Sequence, residues 1–167
     1  KVADASDDIY AIVHAATESF DIDTCFLIKL NSDLDILWTI KIPEATDMLL
    51  EVDGNGNALV AYVTNDSLAV SQKKVVVAKY ALNNGNLIWS KNISDCNNVL
   101  TNTLNDLKID KYGNAFLCGS VINPITQKNM EVVKLNANGT MAWRNYYDGG
   151  GANNLAVDDE AFCLAID

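Results

Sequence analysis

The sequence is poor in the residues that build most catalytic centres. It has one histidine, His14, and two prolines in 167 residues. His14 lies in a strand-like run with no nucleophile set in a motif beside it, so it does not make a catalytic triad and reads as a structural histidine. Basic residues are scarce as well: 12 Lys and Arg stand against 22 Asp and Glu, for a net charge of −10. They are scattered and form no stripe, which speaks against a partner with a phosphate backbone; no nucleic acid is expected. No apolar run approaches the roughly 18 residues of a membrane span. The opening Lys1-Val2-Ala3-Asp4 lacks the apolar core of a signal peptide, and the chain does not begin with Met, so the expectation is that it has been processed or cut from something longer. The cysteines are Cys25, Cys96, Cys118 and Cys163, and no two form a C-x-x-C pair. A zinc knuckle or thioredoxin-type motif is thereby disfavoured. Three complete pairings remain open. Cys118 and Cys163 sit in apolar runs, where buried thiols are common. Cys25 and Cys96 sit beside loops and are the disulfide candidates.

What is present is repetition. Hydrophobic residues at 49% with 20% charged mark a folded chain of about one domain. Met130–Tyr146 (MEVVKLNANGTMAWRNY) reads as a β-hairpin: an apolar run, an Asn/Gly turn, and a second apolar run holding a tryptophan. Phe26–Lys41 (FLIKLNSDLDILWTIK) and Val75–Asn92 (VVVAKYALNNGNLIWSKN) are earlier copies. Trp38, Trp89 and Trp143 recur at intervals of 51 and 54 residues, with Lys29, Lys79 and Lys134 at matching places ahead of them. A second unit lies between the hairpins. Val52-Asp53 with Gly56-Asn57-Ala58 matches Ile109-Asp110 with Gly113-Asn114-Ala115, and Val157-Asp158 begins a further copy; Asp4, Asp53, Asp110 and Asp158 recur at 49, 57 and 48 residues. Two independent markers thus share a period near 50, which points to a repeat architecture. Each period holds four short strand candidates and no helical spacing. Four strands per repeat is the composition of a β-propeller blade. The inner runs, such as VVVAKY and FLIKL, are nearly all apolar because both faces of a stacked sheet are covered. The three tryptophans read as core plugs between blades.

The fold class expected is therefore all-β, with propeller-type repeats of four antiparallel strands and about three and a half blades in one segment spanning 1–167. The repeats run approximately 1–46, 47–103 and 104–151, with a partial copy at 152–167. Pro43 and Asn123-Pro124 interrupt pairing, and 65–74 and 92–103 read as polar loops. The coupled motifs K-L-N-x-x-G-x-x-x-W and V-D-x-x-G-N-A resemble the SBBP-type β-propeller repeat and the related PQQ-like, quinoprotein-dehydrogenase-like repeats. A weaker resemblance is to repeats of secreted, filament-forming surface-appendage proteins. The chain departs from the pattern at Leu34-Asp35 and Asp159-Glu160, where the usual Gly-Asn turn is replaced. The quinoprotein enzymes of this fold use adjacent cysteines beside the quinone. No adjacent pair exists here, so the resemblance carries the fold and not redox activity. No cofactor is expected.

Asp53-Gly54-Asn55-Gly56-Asn57 resembles the start of a calcium loop, but the sixth and twelfth positions are Ala58 and Thr64, so the match fails and the stretch reads as a turn. Asp4, Asp7 and Asp8 read as a solvated acidic turn. Three sequons, at Asn65, Asn92 and Asn138, fall in expected loops or turns and are the glycosylation candidates. A closed propeller needs at least four blades, so either more chain or neighbouring copies are expected to complete the set. These features together point to a non-catalytic extracellular scaffold, a self-associating filament or surface-appendage subunit. The alternatives are a propeller module that binds carbohydrate or protein, with exposed aromatics such as Tyr146-Tyr147, and a fragment of a propeller enzyme.

Overall fold

The computed structural model describes residues 2–3, 7–15, 24–43, 45–66, 69–93, 102–123, 127–149 and 158–166. They contain strands and no helix. The strands are β1 (Val2–Ala3), β2 (Ile9–Ala15), β3 (Thr24–Leu30), β4 (Ile36–Pro43), β5 (Ala45–Val52), β6 (Ala58–Asp66), β7 (Ala69–Tyr80), β8 (Leu87–Asn92), β9 (Asn102–Ile109), β10 (Ala115–Asn123), β11 (Gln127–Leu135) and β12 (Met141–Tyr147). They form three four-stranded antiparallel sheets in the orders β1-β2-β3-β4, β5-β6-β7-β8 and β9-β10-β11-β12. Each sheet is one pass of chain in which neighbours in sequence are neighbours in space. Hairpins allow this order without crossovers.

The sheets pack in sequence. β5 lies against β1 and β3 of the first sheet, and β9 lies against β5, β6 and β7 of the second. Two apolar layers fill the gaps. The first joins Tyr10, Leu27 and Ile42 to Ala58, Val60, Ala78 and Tyr80. The second joins Leu59, Ala61, Val63, Val75 and Val77 to Leu107, Leu117, Val133 and Leu135. In β6, Ala58 and Val60 thus face the first sheet while Leu59, Ala61 and Val63 face the third. Successive side chains of a strand point to opposite faces. A strand covered on both sides must be apolar at every position, which is why ALVAYV shows no alternation. In β3, by contrast, Cys25, Leu27 and Lys29 are buried and the intervening residues only half-buried.

Several features differ from the expectations above, among them the 92–103 loop, whose ends Asn92 and Asn102-Thr103 belong to β8 and β9. Asn65–Lys74 is not a loop throughout. β6 runs to Asp66 and β7 starts at Ala69, with Thr64 opposite Lys74 and Asn65 opposite Lys73. Ladder bonds are made by backbone groups, so pairing continues past the last apolar residue. Asn65 therefore stands in a strand, and Asn92 is the exposed last residue of β8, opposite Val76. Only Asn138 keeps its turn position. Finally, the described part of the fourth copy, 158–166, forms no strand. It lies on the third sheet: the Asp159 N–H donates to the Lys128 carbonyl at 2.7 Å and the Leu164 N–H to Asp106 Oδ2 at 2.8 Å. Asn105 donates to Glu160 Oε1 at 2.9 Å and to the Ala161 carbonyl at 2.7 Å, and Lys128 pairs with Glu160. The tail thus touches β9, β10 and β11 much as β9 touches the second sheet.

Candidate functional site, the tryptophan joints between sheets

The most specific polar geometry among the described residues lies at the sheet-to-sheet contacts. It is built twice from the same residue types. Asp53 opens an Asx turn, its Oδ1 accepting the N–H groups of Asn55 and Asn57, both at 2.9 Å. Asp53 Oδ2 accepts from the Asn57 side-chain amide at 3.1 Å and pairs with Lys79 at 2.7 Å. The other end of the Asn57 amide, Oδ1, accepts the N–H of Leu82 at 3.1 Å, in the turn between β7 and β8. The carbonyl of that same Leu82 accepts the indole N–H of Trp38 at 3.1 Å and the Lys29 ammonium at 3.3 Å, both from the first sheet. Acid, amide, peptide and indole form one hydrogen-bonded line from the second sheet into the first. In the next joint, Asp110 accepts from the backbones of Tyr112 and Asn114 at 2.9 Å and from the Asn114 side chain at 2.8 Å. Asn114 Oδ1 accepts the Ala137 N–H at 3.2 Å, and the Ala137 carbonyl accepts the Trp89 indole at 3.1 Å.

Each indole also lies flat against a turn glycine. Gly85 and Gly139 have φ of +69° and +82°. A Cβ on Gly139 would stand 2.7 Å from two carbons of the Trp89 ring; one on Gly85 would stand 3.0 Å from Trp38 and 2.9 Å from Ile40. Glycine is needed there twice over, for the left-handed backbone and for the missing side chain. In the first sheet an edge-to-face contact backs the indole: Tyr10 and Trp38 have centroids 5.7 Å apart at 62°, with the Lys29 ammonium 5.3 Å from the Tyr10 ring. The third sheet carries the matching set. Phe116 and Trp143 are 6.2 Å apart at 65°, and Lys134 lies 4.9 Å from the Phe116 ring. Trp143, which the sequence pattern places in the core with the other two, is 39% exposed. The reason is physical: among the described residues no glycine turn lies on its outer side.

The electrostatics follow the same pattern. Burial pushes the Asp53 carboxyl up, yet the Lys79 ammonium and the Asn57 and Asn55 amides outweigh it and hold the group below its ordinary value of 3.8. Asp110 is held low in the same way, burial being outweighed by Asn114 and the Tyr112 N–H. Recurrence at a fixed period showed Asp53, Lys79 and Asn57 in the sequence. It did not show that Asp53 and Lys79 form a buried pair, with side chains 2% and 10% exposed.

The remaining candidates form no single site with the joints, although His14 and Cys25 stand opposite each other on β2 and β3. Cys25 is buried and its Sγ donates to the Ala45 carbonyl at 3.1 Å; Cys96, its proposed bridging partner, lies outside the described residues. His14 lines a cavity of about 380 Å³ with Ile12, Cys25, Thr46, Asp47 and Met48, open between β2, β3 and β5. Among the described residues no group of three or more His, Cys, Asp or Glu is placed to hold a metal, and no helix is long and apolar enough to cross a membrane. The Asn138 side chain accepts the Thr140 N–H at 3.1 Å and hydroxyl at 2.7 Å, inside an exposed turn. Cys118 is buried, and burial, helped by the charge of Asp106, pushes its thiol up to about 11; Cys163 is exposed. Because the thiolate is the reactive form, iodoacetamide near pH 8 is expected to label Cys163 quickly and Cys118 only after unfolding. Peptide mass spectrometry checks this. Equal labelling rates for the two residues would contradict the burial of Cys118.

No family model matches the chain, and no curated protein matches it. Among solved structures, it is similar to the crystal structure of a protein of unknown function from Bacteroides caccae, at 12% identity and a TM-score of 0.26, covering 87% of this chain and 69% of that one. A likeness that distant carries no argument about fold or function.

Proposed function

We propose that this chain is a non-catalytic structural scaffold of β-propeller-type repeats, working outside the cell and built to associate with further repeats as a filament or surface-appendage subunit. The observation that carries the reading is the joint itself: the most elaborate polar network among the described residues links sheet to sheet, and the third tryptophan, Trp143, is 39% exposed with no described turn against it. The SBBP-type and PQQ-like repeat resemblance fits blades of this order, each with its tryptophan on the fourth strand. The exposed sequon asparagines Asn92 and Asn138 support an extracellular setting in which a glycan would project into solvent. The test is electron microscopy of the protein isolated from its source. The reading expects regular filaments or larger ordered assemblies. Discrete closed rings bearing a bound chromophore would overturn it in favour of a propeller enzyme.

One observation favours a second reading, a carbohydrate-binding module. Tyr146 and Tyr147 are exposed on the edge strand β12, with the Arg144 guanidinium 5.9 Å from the Tyr146 ring, and exposed aromatic rings are the side chains that stack on sugars. Selective, saturable binding on a glycan array, lost in Tyr146→Ala or Tyr147→Ala, would establish it. A flat array would remove it.

A further inference from the structure

We propose that the exposed face around Trp143 is a socket for the hairpin turn of a further repeat whose left-handed position is glycine, and that Leu34 bars this chain's own first turn from filling it. The inference rests on the scaffold reading and names the partner that reading leaves open.

The socket is defined by two filled examples. In each, the incoming turn supplies a backbone carbonyl at its second residue, Leu82 or Ala137, and a left-handed glycine at its end, Gly85 or Gly139. The turns are closed by the Gly85 N–H to the Ala81 carbonyl at 2.9 Å and the Gly139 N–H to the Asn136 carbonyl at 2.8 Å. The receiving sheet supplies an indole N–H, a flat ring face and, in the first joint, an ammonium aimed at the same carbonyl. On the third sheet Trp143 and Lys134 repeat that equipment around Phe116. The described residues of the fourth copy, 158–166, do not fill it: their contacts run along Thr103, Asn105, Asp106, Gly119 and Lys128, away from Trp143.

A second copy of this chain is the obvious occupant, and its first turn has the right backbone. The Leu34 N–H donates to the Asn31 carbonyl at 3.0 Å and Leu34 has φ +71°, matching Gly139 in both respects. The side chain is wrong. Where Gly85 and Gly139 lie against an indole with no room for a Cβ, this turn carries a whole leucine, 65% exposed. A left-handed leucine is disfavoured in its own right. Leu34 therefore makes the joint directional: the third sheet offers a tryptophan, and the turn of the first sheet refuses one. The occupant is a repeat with a glycine turn, not this chain's first sheet.

Sedimentation velocity on the full chain tests this, using the wild type, Leu34→Gly, Trp143→Ala and the double variant at equal concentrations. Leu34→Gly suits its φ and is expected to fold at least as well, which circular dichroism verifies. It is expected to self-associate head to tail, with an apparent dissociation constant lower by about tenfold or more than the wild type's, and Trp143→Ala is expected to reverse the gain. Self-association of the wild type that Trp143→Ala abolishes would overturn the proposal, since Leu34 would then be no bar. So would a Leu34→Gly chain that associates no better than wild type. In the latter case, a strong loss of stability in Gly139→Ala would leave the scaffold reading standing while the socket assignment falls.

Discussion

Gly139→Ala is expected to lower the unfolding free energy by about 3 kcal/mol, with Gly54→Ala within about 0.5 kcal/mol of wild type. At Gly139 two costs add. An L-residue in the left-handed region costs roughly 1–2 kcal/mol, and a methyl group standing 2.7 Å from the Trp89 ring forces either the turn or the indole to move, an overpacking cost of roughly 1–3 kcal/mol. Gly54 is the fair control. It lies in an exposed turn, its φ is not positive, and nothing lies within 4 Å of an added Cβ. Urea denaturation of both variants reads the difference. A Gly139→Ala protein as stable as wild type would mean that the Trp89 joint does not hold the second and third sheets together.

Asp53→Ala is the second large effect, expected to cost about 3–5 kcal/mol, because it strands the buried Lys79 ammonium without its partner. It also removes the acceptor that orders the turn and aims Asn57 at Leu82. Lys79→Met is expected to cost less, since Asp53 retains three amide donors from Asn55 and Asn57. The two losses should not add, because both residues belong to one network. The pair also sets a pH dependence. The Asp53 carboxyl is held below its ordinary 3.8 in the folded protein, so the unfolded chain takes up its proton first. The stability it contributes is complete above the unfolded value and is lost as pH falls through the folded value. Asp106, Asp110 and Glu160 are held low as well, burial opposing and backbone or side-chain donors prevailing at the two aspartates, with Lys128 the leading cause at Glu160. Urea midpoints should therefore drop steeply with acid below about pH 4, and less steeply in Asp53→Ala. A pH-independent midpoint through that range would refute the network.

Much of the strand order could be read without coordinates. The hairpins around Trp38, Trp89 and Trp143 carry their own turn chemistry, and a hairpin's pairing is decided by residues a few positions apart. The continuous apolar run VVVAKY of β7 announced a strand covered on both faces, and Val77 and Ala78 do face opposite layers. FLIKL in β3 reads the same way but is fully buried on one face only, because among the described residues β3 has a packed sheet on just that side. Where the reading failed, the deciding contact was distant. Asn65–Lys74 looked like a loop because its side chains are polar, but ladder pairing belongs to the backbone. Trp143 looked like core because its sequence neighbours match those of Trp38 and Trp89.

The amino-acid sequence by itself determined the all-β class, the period near 50, and the recurrence of Asp, Lys, Gly and Trp within it. Each of these is a matter of local chemistry repeated along the chain. Only the tertiary structure decided what the recurring residues do. It joined Trp38 to Leu82 and Trp89 to Ala137 across 44 and 48 residues, buried Lys79 on Asp53, and left Trp143 half in solvent. Those outcomes depend on which sheet lies against which, and an identical motif is plugged or open according to whether a glycine turn arrives from the neighbouring sheet.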